Sequence, residues 1–284
     1  MHGRIYQIKR LILVLAAFLS LTAFIIPAYK MAGLMKADKH FNALVLQGNA
    51  FFNLSGDYIN RAVPLRMIVT PSGYSMQSYI FPKAHVNIIN ERNQQTILIN
   101  NVKLQTIPVI FSRNNLLALL TGLYLSGTPQ QTFTDMGLDL KFTAYGLAND
   151  RAAYIIGNDN DQLFIDNEKT VPIMFRIKYN NVYTEAVVKD YMDSAKLMEG
   201  PIRTAKPNSE SGFARLQAER YTDTDIILPR TIELYDGNVM AQKWVFTEAF
   251  LLTGDQEIKH FILTWHEVTK LPLSHEPLSP FMLF

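Results

Sequence analysis

The sequence predicts a mainly β protein with helices, an α+β fold whose framework is an antiparallel meander. Three observations carry that expectation. Short apolar runs of strand length recur along the chain, separated by turn-forming residues. Asn180-Asn181 and Asp236-Gly237 each stand between two such runs as hairpin signals. Around Asn180-Asn181, two independent patterns also agree on one register. A two-residue loop sets Ile177 against Thr184, Phe175 against Ala186 and Ile173 against Val188 on one apolar face. On the other face it sets Arg176 against Glu185, an opposite-charge pair.

Composition bounds the function classes. At 284 residues the chain can hold one large domain or two small ones, and 48% hydrophobic against 18% charged residues argues against disorder. The net charge of +2 comes from the first 32 residues, where Arg4, Lys9, Arg10 and Lys30 have no acidic counterpart. Without those four, 23 basic residues face 25 acidic ones, so the body is no polyanion binder and nucleic acid is not an expected partner. The absence of cysteine excludes disulfides, thiolate metal sites and a cysteine nucleophile.

A basic start, MHGRIYQIKR, precedes the uncharged run Leu11 to Ile26, with Ala28 and Ala32 as small residues at cleavage positions. This is the pattern of a secretory signal peptide over residues 1–32, the alternative being a retained membrane anchor. Either places the body, 33–284, across the membrane in one domain.

Gly33 to Phe52 is expected to be an amphipathic helix, since Leu34, Ala37, Phe41, Leu44, Val45, Gly48 and Phe52 recur at three- and four-residue intervals. The runs LRMIV, YSMQSYIF, HVNIIN, TILIN and VKL between Leu65 and Leu104 form a first meander. Ser112 can cap a helix through Leu125 that carries six leucines, at 116, 117, 119, 120, 123 and 125. A helix apolar on all sides is either a core helix or a lid over an apolar cavity. Thr132 to Ala144 alternates as a strand would and leads into a second meander through Met192.

Glu199 to Gly212 is a polar excursion, followed by expected strands at Arg215 to Thr222, Pro229 to Tyr235, Val239 to Leu252 and Ile258 to Trp265. At Asp236-Gly237 the register stays open. A two-residue loop groups Ile232 and Leu234 with Val239 and Ala241, whereas a three-residue loop groups them with Met240 and Trp244.

Catalytic signatures are missing. Gly73-Tyr-Ser-Met-Gln77 lacks the closing glycine of a nucleophile elbow, and Asp159-Asn160-Asp161 fails the EF-hand spacing. His260 and His266 lack a designated third metal ligand, and Glu219, Asp223 and Asp225 read as a solvated loop. No enzyme activity, metal or cofactor is expected. Phe284 ends the chain as in outer-membrane barrels, but Pro272, Pro277 and Pro280 break the strand such a barrel needs.

Two stretches carry a family resemblance. In AYIIGNDNDQLFIDNEKTVPIMFRI a Tyr-x-Ile-Gly strand turns into Leu-x-Ile-Asp and then a proline-opened strand; in TDTDIILPRTIELYDGNVMAQKWVF, Leu-Pro-Arg opens a strand that turns at Asp-Gly. With the export signal and the leucine helix, the chain resembles the LolA-like family of periplasmic lipoprotein carriers. The resemblance implies an incomplete β-barrel wrapped around helices, enclosing an apolar cavity for acyl chains. It implies a periplasmic monomer whose partners are lipid or lipoprotein acyl chains and inner- or outer-membrane sorting proteins. The lining expected on the helical side is Leu116, Leu117, Leu120 and Leu123, with Phe133 and Phe142 after it. From the sheet come Ile173, Phe175, Ile177, Trp244 and Phe246. The sequence departs from the family at Phe81-Pro82-Lys83-Ala84, which lacks the arginine that helps close the family's lid. The alternatives are a non-carrier periplasmic regulatory or envelope-assembly module of the same fold and, third, an exported hydrolase or a small outer-membrane barrel.

Overall fold

The structure is a computed structural model that describes residues 26–35, 43–53, 62–70, 74–81, 84–91, 94–100, 102–108, 113–125, 129–179, 181–192 and 227–252. A first meander comprises β1 (Ala43–Phe52), β2 (Val63–Val69), β3 (Ser75–Ile80), β4 (His85–Glu91), β5 (Gln94–Ile99) and β6 (Val102–Pro108). A second comprises β7 (Thr143–Ala148), β8 (Arg151–Gly157), β9 (Asp161–Asp166), β10 (Pro172–Tyr179), β11 (Val182–Met192), β12 (Leu228–Asp236) and β13 (Val239–Leu252). α1 (Ala28–Met35) precedes them. α2 (Arg113–Gly122), its 3-10 turn (Leu123–Leu125) and α3 (Pro129–Asp135) lie between them.

These strands make one antiparallel sheet in the order β6-β5-β4-β3-β2-β1-β13-β12-β11-β10-β9-β8-β7, so β1 and β13 join the two meanders. The Asn180-Asn181 hairpin has the expected register, with Ile177 opposite Thr184 and Phe175 opposite Ala186. Arg176 Nε donates to Glu185 Oε1 at 2.6 Å, and Asn181 takes φ 61°, the left-handed conformation that asparagine tolerates. Ile173 is an exception. The register of β10 against β9 shifts between Pro172 and Met174, and this bulge moves Ile173 to the outer face with Phe164, Met174 and Val187.

At Asp236-Gly237 both expected registers are half realised. Asp236 pairs with Val239, so the loop has two residues, but a shift at Leu234/Tyr235 leaves Ala241 unpaired and sets Ile232 opposite Trp244. The bulge thus returns Trp244 to the core face.

Two expectations are corrected. Gly33 to Phe52 is not one helix: α1 starts at Ala28 and ends at Met35, and residues 43–52 are β1. Ala28, Met31 and Ala32, inside the segment read as leader, lie buried in the core. Thr132 to Ala144 is not a strand either. Pro129 opens α3, Gly137 turns at φ 81°, and β7 starts only at Thr143. The capping Ser112, the excursion at 199–212, the strands expected at 215–222 and 258–265, and residues 1–25 lie outside the described residues.

Phe175, 1% exposed, sits in the core, whereas Arg176 and Glu185 keep part of their surface in solvent. Phe175→Ala is therefore expected to lose ~3–5 kcal/mol of unfolding free energy. Arg176→Gln should lose only ~0.2–1 kcal/mol. Urea denaturation of both variants measures the difference, and equal losses would contradict the face assignment.

Candidate functional site

The candidate site is the inner face of the sheet. β2 and β10 are five steps apart in the strand order, so a flat sheet would hold them ~24 Å apart at ~4.8 Å per step. Yet α2 touches β2 as well as β10, β11 and β12. A helix is only ~10 Å across, so the sheet must curl around it. Gly122 lets the end of α2 come this close, since a Cβ there would stand 3.1 Å from Val69 Cγ1.

Leu116, Leu117, Leu120 and Leu123 are between 0% and 3% exposed and join one core with Leu44, Met67, Phe175, Ile232, Trp244 and Phe246. Trp244 and Phe246 lie two residues apart on β13 with rings meeting edge to face at 5.8 Å. Phe133 of α3 is fully buried in the same core, and α1 packs on α3. Thr121, the polar residue inside this stripe, donates to Leu117 O at 2.8 Å and leaves no unmet hydroxyl.

Of the residues expected to line a cavity, Leu116, Leu117, Leu120, Leu123, Phe133, Phe175, Trp244 and Phe246 are brought together, and Ile177 packs at their margin. Two are not. Phe142 is 57% exposed, because the segment before it is helix and turn rather than strand. Ile173 lies on the outer face. Sequence reasoning missed Met31, Tyr79 and Tyr124, all in this core. Tyr79 was hidden because the residues that share its face in YSMQSYIF, Ser75 and Gln77, are polar; Tyr124 looked like a helix terminus only.

Polar groups mark the flanks of the inner face. The Tyr79 hydroxyl accepts from Gln242 Nε2 at 3.3 Å and neighbours the Trp244 indole. Burial pushes its pKa far above the ordinary tyrosine range, and the two donors draw it partly back. Asn90 Nδ2 donates to Ser75 Oγ at 3.0 Å and Gln95 Nε2 to Asn90 Oδ1 at 2.9 Å. At the other flank the Tyr124 hydroxyl donates to Pro172 O at 2.5 Å.

On the outer face Ser78 Oγ lies 2.5 Å from His85 Nε2, the geometry of a nucleophile and its base. The Ser78 hydroxyl, however, donates to Asn87 Oδ1 at 2.6 Å. His85 Nε2 must then carry the proton and donate to Ser78, the reverse of what a general base does. Ser78 is also 0% exposed. The trio reads as a buried polar cluster rather than a catalytic pair, with Asn87 Nδ2 buried and making no hydrogen bond.

Glu233, also on the outer face, accepts from the Tyr235 hydroxyl at 2.5 Å and from Lys243 Nζ at 3.1 Å, with Lys189 Nζ at 3.8 Å. Burial raises its pKa, but these hydrogen bonds and ammonium charges outweigh it and hold the carboxyl below its ordinary value. Among the described residues no helix is long and apolar enough to cross a membrane.

No protein-family model matches the chain, and no curated protein matches it. Among solved structures it is similar to a domain from Vibrio parahaemolyticus described as an outer membrane lipoprotein-sorting protein. The TM-score is 0.45 at 7% identity, covering 84% of this chain and 97% of that one. It is also similar to a LolA superfamily protein from Nitrosomonas europaea, with TM-score 0.46 at 10% identity, covering 82% and 97%.

The Glu233 cluster sets a pH dependence. A carboxyl whose folded pKa is depressed adds stability above its unfolded pKa, and that stability is lost as pH falls through the folded value. The melting temperature of the wild type should therefore fall on acidification below about pH 4.5, the ordinary value of a glutamate. Glu233→Gln should lose ~1.5–3 kcal/mol at neutral pH and show a shallower acid limb. An acid limb unchanged by the substitution would assign the acid loss to other carboxyls.

Proposed function

We propose that this chain is a periplasmic binding protein that shelters acyl chains of a lipid or lipoprotein beneath α2, without catalysing a reaction. The observation that carries the reading is the leucine stripe Leu116, Leu117, Leu120 and Leu123, laid on an aromatic and aliphatic floor inside a curled open sheet. Burial there is worth ~0.8 kcal/mol per methylene and needs no directional partner. The lining we assign is those four leucines with Phe133, Phe175, Ile177, Trp244 and Phe246. Delivery to or from membrane sorting proteins belongs to the same proposal.

One observation favours a second reading. The leucines are almost fully buried against the protein's own side chains, as they would be in an envelope module with a filled interior.

Full-length protein purified from a bacterial periplasm separates the two. Native mass spectrometry and mass spectrometry of an organic extract are expected to show acyl material bound to the wild type. Leu117→Ala and Leu120→Ala should each change the affinity for a fluorescent fatty-acid probe several-fold. Val187→Ala, on the outer face, should leave that affinity unchanged. The filled-module reading expects a clean extract, no probe uptake, and losses of ~2–5 kcal/mol in the leucine variants. A well-folded protein with a clean extract and no probe uptake would overturn the carrier proposal.

A further inference from the structure

One rim of the sheet gathers an unusual set of donors. Arg151 opens β8, Asp166 closes β9, Pro172 opens β10, Tyr191 lies near the end of β11, and Tyr124 is in the turn after α2. Arg151 Nη2 donates to Lys189 O at 3.0 Å. Its Nη1 is buried and makes no hydrogen bond, and it stands 4.0 Å from Asp166 Oδ2, too far for one. Asp166 Oδ1 is already committed to the N–H groups of Glu168 at 2.9 Å and Lys169 at 2.8 Å. Tyr191 has two cations over its ring, with the Arg151 guanidinium 4.9 Å and Lys169 Nζ 4.6 Å from the centroid. The Tyr191 hydroxyl is buried beside Arg151 and Tyr124 and makes no hydrogen bond, and Tyr124 has given its proton to Pro172 O. Lys189, the next cation along, is engaged by Asn149 Oδ1 at 2.9 Å and by Glu233.

The remaining inventory is one buried guanidinium N–H group, one buried hydroxyl and an exposed ammonium, with Asp166 4.0 Å from Arg151 and Oδ1 of Asp190, the chain neighbour of Tyr191, also buried without a hydrogen bond. Buried donors without acceptors are a standing cost that an acceptor of negative charge would remove. A guanidinium fork flanked by hydroxyls is the chemistry that recognises phosphate oxygens. Tyr191 packs against both the inner core and the outer cluster, so the set bridges the mouth of the proposed acyl site to the surface.

We propose that Arg151, Lys169 and Tyr191 bind the phosphate-type headgroup of an anionic lipid whose chain lies beneath α2; this rests on the acyl-binding reading above. The site makes the protein selective for anionic over neutral lipids.

The test measures binding of lysophosphatidic acid, of monoacylglycerol with the same oleoyl chain, and of inorganic phosphate to the full chain. Wild type is expected to prefer the anionic lipid by ~10-fold, a charge-assisted preference that Arg151→Gln removes without changing monoacylglycerol affinity. Tyr191→Phe keeps the ring beneath its two cations and should lose part of the preference. Equal binding of both lipids to the wild type overturns the headgroup site and leaves the acyl site standing. Binding of neither lipid, with Arg151-dependent binding of phosphate alone, overturns the acyl reading and makes the rim a free-phosphate site. Binding of none of the three overturns both. An anionic preference that survives Arg151→Gln overturns the proposal. Should that variant not fold, Tyr191→Phe decides: an unchanged preference overturns it.

Discussion

The fold depends on the pairing of β1 with β13. Each meander is held by local hairpins, but among the described residues only this ladder, from Ala43 opposite Leu252 to Phe52 opposite Gln242, joins them into one sheet. It links distant parts of the chain and carries the largest loop-closure cost in the fold. Its geometry has one strict requirement. The register shifts between Gln47 and Gly48, and a Cβ on Gly48 would meet Val245 O at 2.0 Å and Phe246 Cα at 2.7 Å. A glycine within a strand marks such a close backbone approach, and the bulge there adds twist where the two halves must curl toward each other.

From that joint follow the two faces. The curled interior receives Leu44, Met67, Trp244 and the leucine stripe of α2. On the opposite face Phe164, Ile173, Met174 and Val187 form a second cluster, and Val45, Ile68 and Met76 are buried as well. Much of the sheet is therefore apolar on both sides. That is unusual for an antiparallel sheet, which commonly leaves one face to water.

This double burial explains what the sequence could and could not convey. The Asn180-Asn181 hairpin was legible because its outer face carries the Arg176–Glu185 pair, so the two faces differ and the register is fixed twice. β1 was not. Leu44 and Val45 are both buried, and the resulting continuous run in ALVLQG matches a helical period as well as a strand. At the last hairpin the three-residue alternative put Trp244 on the face of Ile232, where it lies, but the cause is a bulge at Ala241 after a two-residue loop and not the loop length. α3 was misread because Thr132, Phe133 and Thr134 have strand propensity, while Pro129 and the packing of Phe133 against the core decide for helix. Most of the apolar lining was legible, since alternation finds inward residues. The rim cluster was not, because Arg151, Asp166 and Tyr191 meet only once the four neighbouring strands β8 to β11 stand side by side.

Under the acyl-binding reading, the burial of the leucine stripe sets the terms on which a ligand enters. Detaching four leucines from the floor costs ~6–12 kcal/mol at ~1.5–3 each, and burying a chain of ~15 methylenes returns ~12 kcal/mol. The two are comparable, so a chain can exchange with the helix but gains little by squeezing in beside it. The exchange also has a fixed end. Tyr124 holds the turn after α2 to Pro172 O, and Gly122 seats it against Val69. The part of α2 free to lift is therefore its N-terminal half, with Leu116 and Leu117, while Leu123 stays. With its polar end held at the rim where Arg151 and Tyr191 stand, a chain would run along the floor from Tyr124 toward that lifted half.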